Sequence, residues 1–168
     1  HEEASLLLAD VLRRQGREQA AITALAAGLV EHPESQVLLF RQAELYTVTG
    51  EHDKAEEVLK QLVAMNPDNP EARLMLVSFY RQVGRVDQAR EYLEQLIADH
   101  PEQEEYRLGL ARFLVQQGQD EQAEAVLEKG LREIGQAPRL TLALADRYRG
   151  LGRTDQAREM YQSIVEAD

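Results

Sequence analysis

The sequence contains no cysteine and no tryptophan, and it has only 10 glycines and 5 prolines in 168 residues. Without cysteine, the chain has no disulfide, no thiol nucleophile and no cysteine-ligated zinc. No apolar run approaches the roughly 18 residues that a membrane-spanning helix needs, so we expect no direct membrane insertion. Acidic residues outnumber basic ones by 30 to 19, and the net charge of −11 argues against nucleic acid as a partner.

The two ends of the sequence are typical of a piece cut from a longer protein. The chain begins at His1 rather than at methionine, and it ends at Asp168 directly after an apolar helical pattern. Arginine outnumbers lysine by 16 to 3, which is typical of a GC-rich bacterial genome. We therefore expect a fragment of a larger bacterial protein. The compartment stays open between cytoplasm and periplasm, because both accept a domain without cysteine.

A period of 34 residues runs through the whole chain. Glycine recurs at this interval five times, and each glycine is followed five residues later by alanine and nine residues later by a large apolar residue; the glycines are Gly16, Gly50, Gly84, Gly118 and Gly152. On both sides of each glycine, apolar residues are spaced by three and four positions, as in an amphipathic helix. Each unit is therefore predicted to be two helices joined at the glycine, where a positive φ is needed.

Polar residues mark where the predicted helices begin. Three aspartates lie three residues after a glycine, and we expect them to cap the second helices and to interact with the helix dipole; they are Asp53, Asp87 and Asp155. Asn69 is expected to cap a first helix, because Pro70 follows it at the first helical position. The alanine five residues after each glycine is predicted to lie where two helices approach closely.

This pattern resembles the tetratricopeptide repeat, and the resemblance covers the chain as a single array of repeats over residues 2–35, 36–69, 70–103, 104–137 and 138–168. It implies an all-α fold, a right-handed α-solenoid of about five helix-turn-helix repeats with about ten helices. The first helices would line a concave groove. The family's aromatic residue eleven positions before the glycine is missing here, and Arg107 stands at that position in the fourth repeat.

The resemblance also places the groove-facing residues, at 13, 10, 9, 6, 3 and 2 positions before each glycine. The residues ten positions before form an apolar ladder, and arginines flank it. This surface suits an extended or helical peptide of a protein partner, with apolar anchors and some carboxylates. The predicted partner-binding residues are Leu6, Phe40, Arg41, Leu74, Met75, Arg81, Leu108, Arg112, Leu142 and Arg149. In the alternative interpretation, the ladder fills space between helices and the arginines pair with neighbouring acids.

Self-association, or a spacer role within a larger repeat protein, is the alternative function. The last predicted helix has an apolar edge, which would contact either a sixth repeat of the longer protein or another copy of this chain. In the second case the array would form a homo-oligomer through this open end. The residues of the edge are Met160, Tyr161, Ile164 and Val165.

Two more specific functions are not expected. Some co-chaperones of this family grip a carboxylate with Lys, Asn and Arg, but the first register of that clamp falls here on Leu6, Asp10, Arg41, Glu71 and Met75, and the two other registers fail as well. The sequence has no nucleophile–base pair and no phosphate-binding or metal-binding motif, so we expect no enzyme, no metal and no cofactor.

Two irregular features stand outside the repeat pattern. Tyr46, Tyr80 and Tyr148 share one repeat position and are predicted to pack in the core. Tyr92 and Tyr106 lie outside that position and are therefore freer to have a functional role. The segment from Gly130 to Pro138 contains two glycines and lacks the usual proline, so it is the candidate hinge.

Overall fold

The structure is a computed structural model that describes residues 1–167. Within this range the chain forms ten α-helices and no strand: α1 (Glu2–Arg14), α2 (Glu18–Glu31), α3 (Gln36–Val48), α4 (His52–Met65), α5 (Pro70–Gln82), α6 (Val86–Asp99), α7 (Glu104–Gln116), α8 (Asp120–Ile134), α9 (Pro138–Gly150) and α10 (Thr154–Ala167). The predicted all-α fold of about ten helices is confirmed. The exact repeat bounds stay a prediction, and Asp168 lies outside the described residues.

The periodic glycines end the first helix of each pair. All five have a positive φ between 69° and 81°, as predicted. The residue after the glycine donates its backbone N–H to a carbonyl of the last helical turn, as Arg17 does to Leu12 at 3.0 Å and Arg153 to Tyr148 at 2.8 Å. These bonds satisfy carbonyls that the helix end would otherwise leave unpaired. Because φ is positive at the glycine, a residue with a Cβ would be strained there.

The predicted helix caps are correct at Asn69 and wrong at the aspartates. Asn69 is the N-cap of α5, where its Oδ1 accepts a hydrogen bond from the N–H of Glu71 at 2.9 Å. The three aspartates lie inside the first turns of α4, α6 and α10, and the N-cap of α4 is Glu51. They can interact with the helix dipole but do not cap. The side chain of Ser35, which caps α3, accepts from the N–H of Leu38 at 3.3 Å.

The first compact unit comprises residues His1–Arg85 and contains α1 to α5. Each helix in it packs against the next, and α1 also contacts α3. Its core includes Ala21, Leu25, Leu38 and Ala55, none of which has exposed surface. The periodic alanines therefore lie where helices meet, since a larger side chain there would have no room.

The second compact unit begins at Val86 and contains α6 to α10. Its helices also pack in order, and α7 contacts α9. Tyr106 has no exposed surface, and its ring centroid lies 5.9 Å from that of His100. The expectation that Tyr106 is free to act in function is wrong, because its repeat position is a packing position that Leu140 also fills with no exposed surface.

Gly130, the first residue of the candidate hinge segment, is a packing residue, and the hinge itself stays a prediction. It is buried inside α8, which continues to Ile134 before Gly135 ends it with a φ of 81°. A Cβ on Gly130 would lie 2.5 Å from Cδ of Arg107 and 2.6 Å from Cδ1 of Leu140. The absence of a side chain is what allows α8 to approach its neighbours this closely.

Arg107 fills the space next to Gly130 and is almost completely buried, with 2% of its surface exposed. Its guanidinium donates to the carbonyl oxygen of Pro101 and, at 2.5 Å, to Oε2 of Glu133. This second bond lowers the pKa of Glu133. A buried guanidinium needs such partners to offset the loss of water, and the pair holds the Arg107 side chain in place.

Candidate functional site

Residues of α3 and α5 in the first unit line an open groove of about 530 Å³, the α3–α5 groove. Phe40, Leu74 and Met75, three of the predicted partner-binding residues, line it together. Met75 is 38% exposed and Val48, on its rim, is 69% exposed. Most of the lining residues occupy the positions predicted for a groove, because residues three and four apart lie on one face of a helix.

The α3–α5 groove is apolar with acidic residues at its border. Of the described residues that line it, only Glu44 and Glu71 are charged. Glu44 accepts a hydrogen bond from Nη1 of Arg41 at 2.9 Å, and Arg41 itself lines the neighbouring cleft. Glu71 is exposed and forms no ion pair with any residue in the described part of the chain. The lining of this groove therefore contains two acids and no base, and only one of the acids is paired.

A smaller cleft of about 180 Å³ lies between α1 and α3, the α1–α3 cleft. Leu6 lines it, and so do two acids and two bases that pair along their own helices. Arg13 Nε lies 4.0 Å from Oδ1 of Asp10, and the hydrogen bond from Arg41 to Glu44 raises the pKa of Arg41. The arginines of this cleft thus pair with acids one helical turn away, as the alternative interpretation expects, while the partner-binding role of Leu6 and Arg41 stays a prediction.

The predicted groove residues of the second unit differ from one another in exposure. Leu142 is 48% exposed, whereas Leu108 is only 6% exposed, because α7 packs against α6, α8 and α9. The residues of the predicted apolar ladder are therefore not uniformly exposed, and Leu108 offers little surface to a partner. Arg112 and Arg149 are exposed, and Nη2 of Arg149 lies 2.8 Å from Oδ1 of Asp146. In the first unit, Arg81 is exposed as well.

Comparison with family models decides the classification. One model described as tetratricopeptide repeat matches residues 12–76, 49–107 and 82–140, and a second with the same description matches residues 138–163. The chain belongs to the tetratricopeptide repeat family. Proteins of this family bind protein partners and are typically not enzymes. In general terms, this tetratricopeptide repeat chain is a protein-interaction scaffold.

Solved structures show the same fold over nearly the whole chain. A thermophilic tetratricopeptide repeat protein of Thermus thermophilus is 27% identical, with a TM-score of 0.54 over 99% of this chain and 91% of that chain. MamA is 23% identical, with a TM-score of 0.52 over 95% and 93% of the two chains. PilF of Pseudomonas aeruginosa is 21% identical, with a TM-score of 0.54 over 99% and 76%. A search of the curated proteins finds no match.

The described part of the tetratricopeptide repeat chain offers neither a metal site nor a membrane span. In residues 1–167, no three or more His, Asp or Glu side chains are grouped so that they could hold a metal ion. The helices of the same range include none whose length and apolar character would let it cross a membrane. Two of the histidines pack against aromatic rings, His52 against Phe79 and His100 against Tyr106.

The predicted self-association edge lies on α10 in the second unit. Val165 is 76% exposed, and Met160 and Ile164 are half-buried. Tyr161 and Val165 line a shallow depression of about 460 Å³ between α9 and α10. The hydroxyl of Tyr161 donates to Oδ1 of Asp146 at 2.7 Å, and this hydrogen bond raises the pKa of Tyr161. The edge thus combines exposed apolar surface with one fixed tyrosine.

Polar contacts between successive helix pairs are a feature that sequence reasoning missed. Oε1 of Glu56 accepts from the hydroxyl of Tyr80 at 2.9 Å, and its Oε2 accepts from Arg85 at 2.6 Å. Burial opposes ionisation of Glu56, but hydrogen bonds from Lys60, Tyr80 and Arg85 outweigh it and lower the pKa of Glu56. In the second unit, Arg153 donates to Glu124 at 2.8 Å in the corresponding positions. Glu and Arg recur in the sequence at fixed distances from the glycines, and this recurrence could have predicted the contacts.

Proposed function

We propose that this chain binds an extended or helical peptide of a protein partner through the groove face of its first helices. The observation that carries the proposal is the α3–α5 groove, in which Phe40, Leu74 and Met75 form one accessible apolar surface. Peptide-binding grooves of helical proteins are recognised by such rows of apolar anchors. The remaining predicted residues of the first unit are Leu6, Arg41 and Arg81. In the second unit, taken by itself, the proposed binding residues are Arg112, Leu142 and Arg149.

A carboxylate clamp of the co-chaperone type is not part of the proposal. The positions at which the α3–α5 groove would need cationic or amide side chains hold Glu44, Glu71 and Met75 instead. A partner carboxylate would meet like charge there, which is unfavourable. The proposed contacts are therefore dominated by apolar side chains of the partner.

A double variant of the α3–α5 groove tests the proposal. Val48→Glu with Met75→Glu adds two charges to exposed groove positions, so the fold should be retained while an apolar partner is repelled. The control is Val30→Glu on α2, because Val30 is 84% exposed and does not line the groove. The assay is a pull-down from native extract with wild type, double variant and control as bait.

The expected result is a partner retained by wild type and by Val30→Glu but lost by the double variant. Circular dichroism melting of the three proteins checks that each is folded. A partner that all three baits capture equally well would show that binding occurs outside the α3–α5 groove. The proposal would then be wrong, and attention would move to the second helices or to α10.

Self-association through α10 is the second candidate function. The exposure of Val165 and the depression that it forms with Tyr161 favour it, because exposed apolar patches with a polar border are typical of interaction sites. The test is size-exclusion chromatography with light scattering over a wide range of concentrations. An oligomer that dissociates on Val165→Glu would support this function, whereas a monomer at every concentration would refute it.

A further inference from the structure

We infer that the α3–α5 groove selects a partner segment in which an apolar side chain lies next to lysine or arginine. The inference rests on the proposed function and adds the chemistry of the partner. It replaces the expectation from the sequence that carboxylates of the partner would be recognised. The juxtaposition that carries it is an apolar groove bordered by Glu44 and Glu71, with no base among the described residues that line it.

The apolar part of the groove provides the anchor site. Phe40, Leu74 and Met75 line its walls, and Phe79, which is 4% exposed, also contributes. The volume of about 530 Å³ exceeds what one side chain fills, so the site can take a large apolar residue together with part of its neighbours. Removing such surface from water is the general source of affinity in grooves of this kind.

The two carboxylates at the border differ in whether they already have an ion-pair partner. Glu71 is exposed on the first turn of α5 and forms no ion pair within residues 1–167. Glu44 accepts a hydrogen bond from Arg41, a residue that lines the α1–α3 cleft and not this groove. Glu71 is therefore the stronger determinant, since a partner cation can approach it without displacing an existing partner.

The neighbouring cleft provides an internal comparison. The α1–α3 cleft has the same kind of helix face but holds two acids and two bases, so its charges balance. At the two repeat positions that hold the bases Arg13 and Arg41 in the cleft, the α3–α5 groove has the uncharged residues Thr47 and Met75. Complementary charge chiefly determines specificity and register, so this local difference predicts a preference for basic partner residues at the α3–α5 groove.

Three fluorescein-labelled peptides of about twelve residues test the preference. They have the same leucine and phenylalanine anchor, and the flanking positions are all lysine, all glutamine or all glutamate. Binding is measured by fluorescence anisotropy at low and at high salt. We expect the lysine peptide to bind about 5-fold more tightly than the glutamine peptide at low salt, and the glutamate peptide to bind most weakly. At about 1 M salt the differences should largely disappear.

A charge reversal separates local recognition from attraction to an acidic protein. Glu71→Lys should abolish the preference for lysine over glutamine, or reverse it toward glutamate. Glu57→Lys on α4 is the matched control, because Glu57 is exposed, does not line the groove and gives the same change in net charge. If the two variants behave alike, or if the lysine peptide does not bind wild type measurably, the inference is overturned.

A further variant distinguishes failure of the inference from failure of the proposed function. Val48→Ala with Met75→Ala removes apolar surface without changing charge. If all three peptides bind wild type equally and this variant weakens them all, the groove binds peptides but the inference about basic residues is wrong. If the variant leaves binding of every peptide unchanged, the groove is not the binding site, and the proposed function is wrong as well.

Discussion

Gly130→Ala is the most direct test of how tightly the second unit is packed. The new Cβ would lie 2.5 Å from Cδ of Arg107 and 2.6 Å from Cδ1 of Leu140, and carbon atoms normally pack at about 3.5–4.0 Å. Arg107 cannot easily move away, because its guanidinium is bonded to Pro101 and Glu133. Leu140 has no exposed surface and is equally confined. The helices must therefore shift or the side chains must leave their preferred positions.

Two opposing terms decide the expected magnitude. Replacing glycine by alanine inside a helix normally stabilises it by about 1 kcal/mol. Overpacking of a buried site typically costs about 1–3 kcal/mol, and two contacts this short place Gly130 at the upper end. We expect a net loss of about 1–2 kcal/mol, which corresponds to a decrease in Tm of roughly 2–8 °C for a chain of this size.

Thermal melting followed by circular dichroism measures this effect, with Gly150→Ala as the matched control. Gly150 ends α9 in the same unit, and no atom lies within 4 Å of the position of its Cβ, so alanine there should be neutral or slightly stabilising. An Arg107→Ala background should reduce the cost of Gly130→Ala, because one of the two close contacts is then removed. A Gly130→Ala protein that melts at or above the Tm of wild type would refute the argument.

The remaining predictions concern a helix cap and a carboxylate. Asn69→Ala should lower the free energy of unfolding by about 1 kcal/mol in urea titrations, because the N–H of Glu71 loses its acceptor; an unchanged midpoint would contradict this. Folding lowers the pKa of Glu56. Its ionised form therefore stabilises the fold at pH values above the ordinary glutamate pKa of about 4.3, and this stabilisation is lost as the pH falls below that pKa toward the lowered one. Between pH 7 and pH 3, the Tm of wild type should therefore fall further than that of Glu56→Gln; parallel curves would contradict the assigned hydrogen bonds.

The features predicted correctly are those that the backbone and the helix period determine. A glycine every 34 residues marks helix ends, because the left-handed conformation favours glycine whatever the neighbours are. Apolar spacing of three and four positions then fixes which face of each helix is buried. The resemblance to the tetratricopeptide repeat, rather than this spacing alone, placed Phe40, Leu74 and Met75 on the groove face, and the three residues do line one groove.

The features predicted wrongly depend on contacts between particular side chains. The aspartates after the glycines do not cap, because α4 begins at His52, one residue before Asp53. The packing role of Gly130 was also missed, because the side chain that leaves no room for a Cβ there is Arg107, which lies 23 positions earlier in the sequence. Spacing within one helix cannot reveal a close contact between two helices, so pairs of this kind become visible only in the fold.

The exposed groove positions, such as Glu71 and Met75, are constrained little by the fold, which is what the proposed recognition requires of them. Substitutions at exposed helix positions usually change stability by less than about 0.5 kcal/mol, whereas the packed alanines and glycines tolerate little change. Groove charges can therefore diverge between repeats at almost no cost to folding. They do so here, since the α3–α5 groove has only acids at its border while Arg112 and Arg149 are exposed at groove positions of the second unit. Partner recognition in this chain should therefore change with substitutions such as Glu71→Lys, whose cost to stability is confined to a less favourable interaction with the α5 dipole of about 1 kcal/mol.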